Sequence, residues 1–465
     1  MSRSTAELDR LAAVDNTLSA RWTEATGRLR EILDTADSGL IGTDLTDAVH
    51  AEAAVREVLG DIRAVPGFEA FLRPLTCAEI VTAGDGLPVV YIVNAPAGTV
   101  VLGVGPNGDR PIVHAIEVPK ITSVDVMRVV VLDDENRPTL LLAQSGNAAH
   151  LRRELPRALE RLTELRPIAA GVETVLARFG ADGAPTDTAV VVPTGLLGLV
   201  PLHALPASNE PFLDDVLEIR LAPSAAIYAA SARRARERRA IALVAVADTV
   251  GSAPLPAARC EANHIRSVFG DRSAIFVGSD ATRQRVISSA RHCSHLHLAC
   301  HGKSRLDDPL GGSLDLADAR LTVNDLLDGR LNQCRLVVAS ACQSGHYALA
   351  DISDDFTGLA AGFLQAGAAA AVVSLWQVGD VSTALLISYF YEQLCHVDAA
   401  DVQDPPTALR AARQWLRHLT YREARDFLRD RNELAPLLAR LPHNPDDHRL
   451  FATLPIWAPF YCYGS

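Results

Sequence analysis

The 465-residue sequence has no run of eighteen apolar residues, so no segment reads as a membrane-spanning helix. A signal-peptide core is missing as well, because Glu7, Asp9 and Asp15 fall where an apolar stretch would have to stand. Together these absences predict a cytoplasmic protein without a membrane partner. Positive charge is in short supply: 44 Lys and Arg stand against 56 Asp and Glu, a net charge of −12. A nucleic-acid backbone needs a basic face, so no nucleic acid is expected as a direct partner. The eight cysteines (Cys77, Cys260, Cys293, Cys300, Cys334, Cys342, Cys395 and Cys462) lack paired spacing, which argues against a disulfide framework and suits reduced thiols. No 34-residue period marks a fused tetratricopeptide array. The ending Cys462-Tyr463-Gly464-Ser465 fits a prenylation box only formally, and its apolar flanks read better as a closing strand.

What remains is a chain that can fold. With 48% hydrophobic and 22% charged residues it reads as globular, and its length suggests two to three domains. Residues 1–72 carry helical apolar stripes, broken at Asp37-Ser38-Gly39 and Val65-Pro66-Gly67. Residues 73–183 switch to strand-like periodicity. Val89–Val93 and Thr99–Val104 predict a hairpin around a five-residue loop, with further strands at 112–118, 126–132 and 139–143, then one helix over 147–179. This α+β part has no reactive edge of its own. From 184 to 465, strands at 189–193, 216–221, 241–247 and 274–277 alternate with helical stretches, which predicts a mostly parallel sheet covered on both faces. The arginine-rich helix 224–239 reads as a solvated face, with a docking surface for an acidic partner as the other reading.

Two apolar runs inside that last part end in reactive side chains. Leu296-His297-Leu298-Ala299-Cys300-His301 reads as a strand ending in His301 before Gly302, and the continuous apolar run from Leu336 as a buried strand ending in Cys342, followed by small polar residues and Gly345. The segment between them, with Pro309, Gly311-Gly312 and 322–328, supplies a loop and a crossover helix. Parallel neighbours then present a histidine and a cysteine at one carboxyl edge, where open α/β sheets place their sites. An imidazole within reach of a thiol can take its proton and make the sulfur a nucleophile toward an acyl carbon. Cys342 is the expected nucleophile and His301 the acid and base, with the amides of Gly302 and Cys342 available to a developing oxyanion.

At these residues the sequence resembles the CHAT family of caspase-like, separase-related cysteine peptidases. The likeness extends over an ordered series: Leu196 to Leu205, Leu255-Pro256-Ala257, Ala281-Thr282-Arg283, Leu314 to Asp318, Gly358-Leu359-Ala360, Ser374-Leu375-Trp376 and Trp457-Ala458. It implies a caspase-like α/β fold, proteolysis of a protein or peptide substrate, and control by a regulatory protein partner, in a bacterial signalling or antiviral defence setting. A proteolytically silent interaction module is the alternative, and the intact His301 and Cys342 count against it. Gln343-Ser344 stands where the family often has Glu-Thr, which bears on substrate preference. The resemblance also implies acidic substrate-binding positions. Asp355 matches one that follows the cysteine, and Asp380 follows Ser374-Leu375-Trp376 as an aspartate follows the similar segment of separases, where it helps bind an arginine before the scissile bond. A carboxylate there favours a basic residue. The plainer reading makes Asp380 a helix cap for Val381–Leu394. Cys293, His295 and His297 could ligate zinc by type, but alternate positions on a strand point in parallel rather than converge, and no metal or other cofactor is expected. His346 reads as a solvent-edge histidine, and Cys300 and Cys334 as small core residues.

Overall fold

Apolar spacing in the first stretch produces two helices, α1 (Asn16–Asp37) and α2 (Leu45–Arg63). Leu11, Val58, Ile62, Phe68 and Phe71 close a small core beside them, with Trp22 edge-on to Phe71 at 5.5 Å. The computed structural model describes residues 8, 10–37, 45–69, 71–107, 110–135, 137, 139–140, 148–180, 186–237, 242–249, 255–303, 313–326, 331–340, 359–376, 378–395 and 404–465. Residues 1–76 and 77–465 form separate units. Among the described residues, no helix is long and apolar enough to cross a membrane.

In the second unit, β1 (Val89–Ala95), β2 (Gly98–Asn107) and β3 (Arg110–Val118) make an antiparallel meander. The hairpin turn is tighter than the sequence suggested. Asn94 pairs Thr99 and Ala95 pairs Gly98, leaving a two-residue connection instead of five; Asn94 Nδ2 reaches Thr99 Oγ1 at 2.7 Å, and Gly98 takes a φ of +139° that favours glycine. Residues 126–132, expected as a strand, instead lie largely in helix α3 (Ser123–Val130). Thr122 and Asp125 form a capping box, and Val126, Val129 and Val130 share the buried face at helical spacing. Residues 139–140 lie in no strand, and 141–143 fall outside the described residues. The single helix expected over 147–179 is α4 (Ala148–Glu160), a 3₁₀ turn over Arg161–Leu165, and α5 (Arg166–Leu176), whose first turn holds Pro167. Proline cannot donate into a preceding turn, so the helix restarts there. Next come β4 (Thr188–Pro193), β5 (Glu218–Leu221) and helix α6 (Ala225–Arg236). Of the arginines in α6, Arg234 bonds the Leu364 carbonyl at 2.8 Å and Arg236 pairs with Asp85; Arg238 and Arg239 lie outside the described residues.

The remaining strands are β6 (Leu243–Thr249), β7 (Ser273–Gly278), β8 (His295–Ala299), the short β9 (Gly302–Lys303), β10 (Ser313–Asp315) and β11 (Arg320–Thr322), then β12 (Leu336–Ala339), β13 (Ala370–Ser374) and β14 (Phe460–Gly464). Helices α7 (Pro256–Phe269), α8 (Arg283–Ala290), α9 (Asp380–Leu394) and α10 (Pro405–His418) accompany them. Eleven strands form one sheet in the order β3-β2-β1-β4-β5-β14-β13-β12-β8-β6-β7, and β9, β10 and β11 form a separate antiparallel sheet that the sequence reading missed. β7, β6, β8, β12 and β13 are mutually parallel, β14 runs antiparallel to β13 and parallel to β5, and β5, β4 and β1 follow in parallel. The unit is therefore the expected caspase-like α/β arrangement: a large, mostly parallel sheet flanked by helices, with β14 as the seam between two half-sheets of opposite direction. Every residue of β12, β13 and β14 is buried, as strands covered on both faces require.

Candidate active site

β8 and β12 are parallel neighbours, and their register sets the geometry. Val338 stands opposite His297 and Ala339 opposite Leu298. Counting three residues on from that last pair reaches His301 on one chain segment and Cys342 on the other. His301 is half-buried, two residues beyond β8, and its carbonyl accepts the Asp315 amide at 2.8 Å. Gly302 then enters β9 opposite Leu314, so the backbone around His301 is held between the large sheet and the small one. Cys342, Asp355 and His346 lie outside the described residues. The last described residue before Cys342 is Ser340, which is half-buried at the carboxyl end of β12.

Ser340 is tied inward. Its hydroxyl donates to Glu261 Oε1 at 3.0 Å, and His297 Nε2 lies 2.9 Å from the same oxygen, off the line of a good hydrogen bond. Glu261 and His297 are essentially inaccessible, and Tyr391 of α9 stands edge-on to the His297 ring at 5.6 Å. Burial first, then nearby thiols and the Glu261 carboxylate, push the Tyr391 phenol well above its usual range. Glu261 was missed by the sequence reading, although a signal existed. It sits among Ala257, Ala258, Ala262 and Ile265, the stripe that α7 buries.

Cys293, His295 and His297 do not converge. Cys293 lies before β8 and shares a hydrogen bond with Cys334, which together with burial drives its thiol far up. His295 Nδ1 is 2.8 Å from Ser294 Oγ; burial, then the Arg335 charge, lower this imidazole to about 3. His297 faces Glu261. Among the described residues no group of three His, Cys, Asp or Glu could hold a metal ion. Cys300 and Cys334 are buried in the core.

Asp380 corrects one expectation. The N-cap of α9 is Gly379 and Asp380 is already the first helical residue, so its carboxylate does not cap the helix. Oδ2 instead accepts from Arg440 at 2.8 Å and from the Ala257 amide at the start of α7 at 3.3 Å. The carboxylate thus joins two helix starts, where backbone N–H groups favour an anion, and already holds a guanidinium.

The CHAT domain family matches residues 153–465. Among solved structures, a chain of the Saccharomyces cerevisiae separase–securin complex at 2.6 Å resolution aligns with a TM-score of 0.52 and 10% identity, covering 90% of this chain and 32% of its own. A second structure of that complex gives 0.52 and 10%, with 96% and 34% covered. The chain thus spans about a third of the length of these relatives. The Arg-specific cysteine proteinase gingipain R of Porphyromonas gingivalis gives 0.40 and 11%, with 63% and 67% covered. No curated protein matches.

Proposed function

Because the chain belongs to the CHAT domain family over about two thirds of its length, we propose that it is a cysteine endopeptidase with Cys342 as nucleophile and His301 as acid and base. The observation that supports this reading is the parallel register of β8 and β12, from whose last pair, Leu298 and Ala339, the sequence runs three residues to His301 and three to Cys342. Attack of the Cys342 sulfur on a peptide carbonyl forms the acyl-enzyme; His301 takes the thiol proton and returns it to the leaving amine, and water then releases the acyl group. The amides of Gly302 and Cys342 are the donors offered to the oxyanion.

The substrate is a protein or peptide cut after a basic residue. Asp380 and Asp355 are the carboxylates offered to that side chain. At Asp380 a substrate arginine exchanges with Arg440, a swap made cheap by the partial exposure of that pair. A regulatory protein partner belongs to the same proposal, since the Saccharomyces cerevisiae separase chain was solved in complex with securin. A bacterial defence or signalling role is part of it too, and rests on the family resemblance alone.

An arginyl chloromethyl ketone tests the assignment. It should alkylate Cys342, mapped by peptide mass spectrometry, and Cys342→Ala and His301→Ala should each lower cleavage of arginyl peptides by about three orders of magnitude or more. Full turnover in either pure variant would sink the dyad.

A further inference from the structure

Glu261 lies at the centre of the apolar stripe of α7, where a carboxylate is costly unless it is paired. Two groups meet its Oε1. One is His297 in the middle of β8, the other Ser340 at the end of β12. His297 comes four residues before His301, and Ser340 two residues before Cys342. A single buried oxygen on the helix layer is therefore hydrogen-bonded to the residue after β12 and lies 2.9 Å from the ring at the middle of β8, the two strands that lead in sequence to the proposed dyad. Apolar side chains of similar volume could fill such a space without loss of stability, so packing alone does not call for a charge there.

We propose that the Glu261–His297 pair is a positioning device for the proposed active site: it fixes Ser340, two residues before Cys342 in the sequence, relative to the strand that leads to His301. The inference rests on the dyad reading. A fixed anchor at this depth matters because displacement of a reacting group by about 1 Å can cost as much as a hundredfold in rate.

The test uses the full chain and iodoacetamide, with alkylation of the Cys342 peptide followed by mass spectrometry as a function of pH. Ser340→Ala, a change at a half-buried position that leaves the core intact, should slow alkylation at neutral pH by about tenfold and raise the pH of half-maximal reactivity, with the melting temperature held. Glu261→Leu should behave alike, whereas Glu261→Gln, which keeps an acceptor for Ser340 at the same volume, should return the rate to within about threefold of the native protein. His301→Ala separates the two claims. If it slows alkylation while Ser340→Ala and Glu261→Leu react at the native rate, the positioning role is overturned and the dyad stands. If His301→Ala reacts like the native protein, the dyad reading and this inference fall together.

Discussion

Two buried imidazoles make stability depend on pH at the scale of single residues. His203 packs edge-on to Tyr461 at 5.2 Å and to Trp457 at 5.9 Å; burial, then the Arg413 charge, hold it well below the ordinary histidine range, and His295 is lowered to about 3. Both are neutral in the folded protein, while the unfolded chain protonates them near its ordinary pKa of about 6.5. Above that pH neither contributes. Below it the unfolded state binds more protons, so stability falls by up to about 1.4 kcal/mol per pH unit for each histidine. Urea midpoints measured from pH 7 to pH 4.5 should drop accordingly, and His203→Phe should flatten the slope; an unchanged slope in that variant would remove His203 from the account. Arg440→Ala gives a second outcome at this scale. It removes the guanidinium from the Asp380 carboxylate, so cleavage of arginyl peptides should rise while stability changes by no more than about 1 kcal/mol, since the pair is partly exposed. Turnover that falls as it does in Asp380→Ala would return both residues to a structural role.

Among elements, the contrast between β12 and α3 explains what the sequence could reveal. Leu336 through Ala339 is apolar on both faces and lies mid-sheet, so its continuous apolar run located it, as alternation located its neighbour β8. The valine-rich stretch 126–132 looked like a strand by composition, but a capping box upstream decides for helix, and Thr122 with Asp125 was the signal to weigh. Thr122→Ala should cost about 1 kcal/mol of unfolding free energy, read as a shifted denaturant midpoint with unchanged slope. A midpoint at the native value would mean that the valine face holds the helix unaided. The β9–β10–β11 sheet was illegible for a different reason. Its strands run two to three residues, too short for any period to register. The candidate site divides the same way: His301, just beyond β8, follows an alternating apolar run that the sequence displays, whereas the Asp380–Arg440 contact joins residues sixty positions apart and follows only from the fold.

For the whole second unit, the joint between the half-sheets is held by charge as well as by strands. Asp214 pairs with Arg413 of α10, both almost fully buried, and Arg413 also donates to the Phe460 carbonyl of β14 at 3.2 Å. Asp214→Ala leaves a buried guanidinium uncompensated and should cost about 3–5 kcal/mol. Calorimetry should show the melting temperature falling as one transition; a loss under about 1 kcal/mol would mean that water reaches Arg413. The position of β14 has a further consequence in time. It is the central seam, yet it follows every other strand in the chain, so a ribosome must pass residue 464 before either half-sheet can be joined to the other. A nascent chain therefore carries His301 and Cys342 for more than a hundred residues of synthesis while β13 lacks its partner on one side. In nascent chains stalled before Phe460, Cys342 should be alkylated less selectively than in chains that include β14, so the proposed nucleophile gains its environment only once residue 464 has been made.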